Sequence, residues 1–208
     1  GEHIVFNRKY YEELTKKVST MVEDFHKKFP LSDGMAKEEI RSRINLEPML
    51  FENLLNKWVE CGIYDIKRNT VKKKEFKVVL NKNQQQISDK MLELYSYRGW
   101  MPPSLNELQQ YFPASDPREV KEVLFRLCSQ GKLIKLDEQL YISPSWVEKA
   151  IQMLKQHFKE QNQITLSQFR EMLGTSRKYA VPLAEYLDGL KVTKRVKDVR
   201  VAGSSLNP

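Results

Sequence analysis

Leu187-Asp188-Gly189-Leu190-Lys191-Val192-Thr193-Lys194-Arg195-Val196-Lys197-Asp198-Val199-Arg200-Val201-Ala202 reads as the end of a helix followed by a β-hairpin. Val192 and Val196 precede the polar pair Lys197-Asp198 and Val199 and Val201 follow it. The change of phase between Val196 and Val199 marks the tip of a two-stranded ribbon. Strands are therefore expected over residues 192–196 and 198–202. The same arrangement closes two earlier stretches. Leu127 stands four residues before Gly131, ahead of expected strands at 133–136 and 139–143, and Trp58 four before Gly62, ahead of 63–67 and 71–77. A hydrophobic residue four before a glycine fits a left-handed helix stop, a shape glycine adopts at least cost. Lys191 breaks that pattern in the last copy.

Working outward, each hairpin is preceded by the same helical pattern, so the chain carries one motif three times. Each copy opens on a long helix with a single apolar face: Leu14, Val18, Met21, Phe25 and Phe29; then Ile87, Met91, Leu94 and Tyr95; then Val147, Ile151, Leu154 and Phe158. Spacings of three and four residues are helical. Two shorter helical segments follow, joined by a tight turn. Ser104 with Glu107, Asp116 with Glu119, Ser145 with Glu148 and Thr165 with Gln168 predict capping boxes, and Pro48 and Pro117 suit the first helical position. Three helices and a hairpin make a winged helix. The expected fold is mainly α with small β-hairpins, an α+β chain of three tandem winged-helix modules at residues 1–81, 82–143 and 144–203, with a disordered tail at 204–208. The joints at 80–83 and 143–145 lack Gly/Ser tracts, so the modules should abut in an elongated, bent array.

The net charge of +8 and pI near 9.3 suit a polyanionic partner. The first module holds 16 Lys and Arg against 13 Asp and Glu, residues 82–145 hold 8 against 8, and the remainder 11 against 6. The middle module thus reads as a spacer and the last as the candidate for a phosphate backbone. Within the last module, Arg177 and Lys178 open the third helix after Thr175-Ser176, where free amides and the positive dipole end favour phosphate. Tyr179 stands beside them as an aromatic contact. Lys194, Arg195, Lys197 and Arg200 are expected to project outward from the adjacent hairpin. A solvated wing without a ligand is the alternative. In the first module, Lys72-Lys73-Lys74 read first as a charged edge strand that discourages aggregation. Contact with ribosomal RNA is their secondary reading.

One long string carries a resemblance: Gly174-Thr175-Ser176-Arg177-Lys178-Tyr179-Ala180-Val181-Pro182-Leu183, then Glu185-Tyr186-Leu187-Asp188, Val192-Thr193-Lys194-Arg195-Val196 and Asp198-Val199-Arg200-Val201. It resembles the last winged-helix module of the bacterial selenocysteine-specific elongation factors, the SelB family, whose tails hold four winged helices. The chain looks like the second to the fourth. The resemblance implies recognition of the selenocysteine insertion (SECIS) hairpin of mRNA through its loop and an extruded base beneath it, tethering the factor to UGA codons. This suits RNA, whose readable parts are unstacked loop bases. On that reading Ser176, Arg177, Lys178 and Tyr179 hold the loop, while Lys194, Arg195, Lys197, Asp198 and Arg200 present the wing to a flipped base. The family usually has glycine where Lys191 and Lys197 stand.

Other classes fit less well. His3, His26 and His157 are scattered, with the latter two expected at helix surfaces, and no nucleophile or carboxylate constellation forms around them. No G-x-x-x-x-G-K-[ST] loop is present, so the chain is read as a non-enzymatic fragment whose family GTPase lies on another part. Cys61 and Cys128, 67 residues apart, suggest neither disulfide nor zinc but two buried thiols. No cofactor or metal is expected. Trp58, Trp100 and Trp146, with Tyr64, Tyr141 and Tyr186, read as core before base-stacking platforms. The chief alternative is a winged-helix regulator bound to double-stranded DNA, and a third is a protein-binding scaffold. No apolar run reaches the length of a membrane span. A cytoplasmic monomer that also touches the ribosome is the resulting expectation, and the segment from residue 144 onward should bind a stem-loop alone.

Overall fold

Three hairpin-ended helical repeats are present in the computed structural model, which describes residues 7–206. Gly1, His3 and residues 207–208 of the expected tail lie outside the described residues. The chain divides into two compact units, Gly1–Asn81 and Lys82–Pro208. The first holds one repeat and the second holds two.

In the first unit, α1 (Arg8–Lys28) is followed by β1 (Met35–Ala36), α2 (Lys37–Ile44), α3 (Pro48–Glu60), β2 (Tyr64–Lys67) and β3 (Thr70–Lys73). The sheet order is β1-β3-β2, all antiparallel. β1 was not foreseen, because two residues give no alternation to read. It covers β3 only at Thr70 and Val71, so Lys72 and Lys73 have a partner strand, β2, on one side alone. The core gathers Leu14, Val18, Val22, Ile40, Leu54, Leu55, Trp58 and Val71. Each large side chain fully removed from water contributes roughly 1.5–3 kcal/mol. Trp58 also donates its indole N–H to Thr15 Oγ1 at 2.8 Å.

The buried stripe of α1 runs through Leu14, Val18, Val22 and His26, one step round from the expected Met21-Phe25-Phe29 line. His26 is therefore buried, not at the surface. It stacks on Phe76 with ring centroids 3.6 Å apart, and its Nε2 accepts the Lys73 amide at 3.3 Å while Nδ1 has no partner. Burial, together with the nearby Lys72 and Lys73 charges, holds its pKa below the ordinary 6.5. The unfolded chain therefore binds the proton more readily, and stability is complete above about 6.5 and lost as pH falls below it. Urea midpoints of the first unit should drop between pH 7.5 and pH 5 for the parent chain. His26→Gln should remove most of that slope, and an equal slope in both would dismiss His26 as its source.

The second unit runs α4 (Lys82–Arg98), α5 (Leu105–Leu108), a 3-10 turn (Gln109–Tyr111), α6 (Pro117–Ser129), β4 (Ile134–Lys135) and β5 (Tyr141–Ile142). It continues with α7 (Pro144–Glu160), β6 (Ile164–Thr165), α8 (Leu166–Leu173), α9 (Arg177–Gly189), β7 (Thr193–Val196) and β8 (Val199–Ala202). β4 pairs with β5, extended by one bridge between Ser104 and Leu140, and the last sheet is ordered β6-β8-β7. The joint near residue 143 is no boundary between compact units, because β5 runs directly into α7. Ile142 shares the last repeat's core, and Trp100, Ile134, Leu136 and Trp146 pack against it. Trp100 and Trp146 meet edge-on at 4.9 Å, and each indole N–H finds a carbonyl, of Trp146 and Ser96 respectively. Half-buried in this way, they are structural rather than free to stack bases.

Capping boxes form at Ser104/Glu107 and Thr165/Gln168. Asp116 accepts from the Arg118 amide, but Glu119 takes Asn83 instead of completing a box. Ser145 is no cap, since Pro144 at N1 starts the helix one residue earlier. Gly62 and Gly131 adopt the expected positive φ, and Lys191 takes the same shape at φ 59 without being glycine. The expected disorder after residue 203 does not hold as far as Leu206. Gly203 N donates to Val192 O, Ser205 N to Lys191 O, and Leu206 is buried in the core. Cys61 is exposed, against expectation, and burial pushes the Cys128 thiol up to about 11.

Candidate nucleic-acid interface

α9 is set by the three-residue turn after α8, in which Gly174 takes φ 61 and Thr175 hydrogen-bonds across to Trp100 O at 3.4 Å. Ser176 is the N-cap, and its side chain caps no amide. The first-turn amides of a helix lack intrahelical acceptors, so this end presents partial positive charge. Pro182 lies inside the helix and has no N–H for the Lys178 carbonyl, which loosens the first turn from the rest.

Arg177 is exposed and forms no ion pair among the described residues. Lys178, also exposed, lies over the Tyr179 ring at 5.2 Å and reaches Glu107 of the middle repeat at 3.3 Å. Glu107 is held below the usual carboxylate range, first by the Ser104 amide and hydroxyl and then by Lys178. Tyr179 is half-buried.

In the wing, β7 and β8 pair Arg195 with Arg200, Lys194 with Val201, and Val196 with Val199. Facing residues in an antiparallel ladder share a side. Arg195, Arg200, Thr193 and Ala202 therefore share one face, and Lys194 and the three valines the other. The inward face is the polar one. Arg200 is buried, with Nε 2.9 Å from Asp188 Oδ2 on α9, and Thr193 Oγ1 donates to Asp188 Oδ1 at 2.5 Å. This corrects the expectation that Arg200 projects outward. Strand alternation assigned the valines inward, whereas Val196 is 43% exposed. Lys194, Arg195, Lys197 and Asp198 are exposed as expected. Arg195 Nε donates to Lys197 O at 3.2 Å, and Lys197 takes φ 55 at the tip, a shape glycine adopts more cheaply.

Arg177 and Asp188 are eleven residues apart on α9, roughly 16 Å at 1.5 Å per residue. The wing is thus anchored through Arg200 at the end of α9 opposite Arg177 and Lys178. The structure joins Arg200 to Asp188 and Lys178 to Glu107, and it does not bring Arg200 to Arg177. Sequence reading missed the partnerships of Asp188 and Glu107, and Lys178 and Glu107 lie 71 residues apart with no local signal between them.

The three lysines of the first unit are mostly engaged. Lys73 pairs with Glu23, and Lys72 with Asp65 at 3.8 Å and the Phe76 carbonyl at 3.2 Å. Only Lys74 is exposed. No group of acidic, His and Cys side chains suited to a metal ion occurs among the described residues.

Three winged-helix repeats, the last with an exposed cationic helix start and wing, place this chain in the class of tandem winged-helix proteins. Residues 20–72 and residues 156–202 each match a family described as "Elongation factor SelB, winged helix". Both segments are thus similar to winged-helix domains of SelB elongation factors. A selenocysteine-specific elongation factor from Desulfomicrobium baculatum is 25% identical over 179 residues, 85% of this chain. The chain spans 28% of that relative's length. The mRNA-binding domain of elongation factor SelB from E. coli, solved in complex with SECIS RNA, aligns over its full length with 60% of this chain, at TM-score 0.53 and 22% identity. That likeness shows the fold.

Proposed function

We propose that this chain binds the SECIS hairpin of mRNA and tethers a selenocysteine-specific elongation factor at UGA codons, with its GTPase on a part beyond this chain. The observation that carries the reading is the exposed cationic start of α9, Arg177 and Lys178, within a segment similar to SelB winged-helix domains. The related factor and the solved RNA complex name the chemistry. Ser176, Arg177, Lys178 and Tyr179 hold the loop backbone, and Lys194, Arg195, Lys197 and Asp198 offer wing side chains and backbone to an unstacked base. Arg200 serves by fixing the wing to α9. The protein acts as a cytoplasmic monomer that also meets the ribosome. The middle repeat supplies part of the last repeat's packing, so the natural binding unit is residues 82–208 rather than 144 onward.

A filter-binding titration of the chain against an RNA hairpin with a bulged base beneath its loop, beside a duplex DNA, tests this. Preference for the hairpin is expected, and equal or tighter binding of the duplex points to a DNA regulator instead. Arg177→Ala should weaken hairpin binding by about 1–3 kcal/mol if its contact is bidentate. Reversing Lys72, Lys73 and Lys74 should leave affinity within about twofold, since two already have internal partners and counterion release scales with phosphates touched. Unchanged affinity and salt slope for Arg177→Ala would remove it from the site.

A further inference from the structure

The first turn of α9 carries charge of the sign its dipole disfavours. Arg177 and Lys178 fill it and no acidic residue stands there, although the amides at a helix start favour anions. The missing carboxylate comes from outside the repeat. Glu107, on α5 of the middle repeat, accepts from Lys178 Nζ with Oε1 at 3.3 Å.

This carboxylate is held in place while its partner can move. Glu107 Oε2 accepts the Ser104 amide at 2.8 Å as one half of the α5 capping box, so both oxygens are engaged. The same Ser104 contacts, and then Lys178, hold its pKa below the usual carboxylate range, and it is charged at neutral pH. The middle repeat is itself pinned beside α9, by Thr175 Oγ1 donating to Trp100 O and by Trp100 packed on Trp146. Lys178 is the mobile member of the pair. Its Nζ ends a flexible four-carbon stem, and 48% of its side chain is exposed.

Resting on the SECIS-hairpin reading, we propose that Glu107 is a built-in competitor for the RNA phosphate on Lys178, a fixed carboxylate that the hairpin must displace. Exchanging one anion for another on Lys178 gains little, since the lysine has an ionic partner before and after. Only a ligand that engages Arg177 and the wing in the same event gains net affinity. The carboxylate thereby sets a threshold against anions that touch α9 at a single point. A carboxylate that positions Lys178 for RNA is the competing role, and it predicts the opposite sign.

The test titrates the bulged RNA hairpin against the full chain and its Glu107→Gln, Lys178→Ala, Arg177→Ala and Glu160→Gln variants, and the Glu107→Gln with Lys178→Ala double variant, over a salt series. Glutamine keeps the capping box, so circular dichroism melts of Glu107→Gln should match the parent. Affinities refer to the active fraction found by stoichiometric titration, so a less stable variant still reports. Glu160 is the control carboxylate, exposed at the far end of α7 and roughly 21 Å along the helix from Trp146 at 1.5 Å per residue. Glu107→Gln is expected to tighten hairpin binding about two- to fivefold at low salt, the range of an exposed ion pair, and the gain should shrink as salt screens the pair. In the Lys178→Ala background the same change should stay within about 1.5-fold, because the two effects are coupled through one contact. Glu160→Gln should stay within about 1.5-fold as well, since it lies beyond the screening length. Weaker or unchanged binding by Glu107→Gln, with Arg177→Ala still damaging, overturns the competitor and leaves the hairpin reading standing. A gain that survives undiminished without Lys178 overturns it too, as general repulsion of RNA. Failure of the unmodified chain to prefer the hairpin over duplex DNA overturns both.

Discussion

Replacing Asp188 by alanine is expected to destabilise the second unit by about 3 kcal/mol, the low end of what removing one partner of a buried ion pair costs. The Arg200 side chain retains 9% of its exposure and Asp188 22%. Without the carboxylate, a guanidinium sits among Leu154, Ile164, Phe169 and Leu187 with no counter-charge, and the Thr193 hydroxyl loses its acceptor. Arg195 directly across the ladder makes matters worse, since like charges facing one another repel. The urea midpoint should fall with little change in slope. The double variant Asp188→Leu with Arg200→Met should recover most of the loss, as apolar replacement of buried pairs often does. A single-variant loss under about 1 kcal/mol would mean that the wing is held by other contacts.

Gly203→Ala should be similarly damaging, at about 3 kcal/mol, beyond ordinary overpacking because the obstacle is backbone. A Cβ there would stand 2.1 Å from Lys191 O and 2.9 Å from the Val192 carbonyl carbon. To relieve the clash the chain must give up the Gly203 N to Val192 O and Ser205 N to Lys191 O hydrogen bonds, both 2.9 Å, and release Leu206 from the core. Gly189→Ala makes the contrast, because its Cβ meets nothing within 4 Å. In the last turn of α9 it should stabilise by about 0.5–1 kcal/mol through helix propensity. If the two variants shift the thermal midpoint in the same direction, the tail is not stapled as described.

Much of the architecture was legible because it rests on local periodicity. The three hairpins, the helix stops at Gly62 and Gly131, the proline starts at Pro48 and Pro117, and two capping boxes all follow from residues within one turn of each other. Two of the errors share an origin. The phase of the β7–β8 ribbon was read from its valines, but Asp188 draws Arg200 inward, and a buried charge with its partner outweighs the alternation. The stripe of α1 slipped for a related reason: His26 can be buried because the Lys73 amide and Phe76 meet it from the far end of the unit.

By itself the sequence determined the repeat, its winged-helix form and the placing of exposed cations on the last copy, since helical and strand periods and turn chemistry act between neighbours in the chain. Tertiary structure alone decided which cations are free. Arg200, Lys73 and Lys72 go to internal acids, Lys178 to the seam with the middle repeat, and Arg177, Lys194 and Lys197 to solvent. An ion pair depends on distance in space, and most of these partners lie far apart along the chain, beyond the reach of any local pattern.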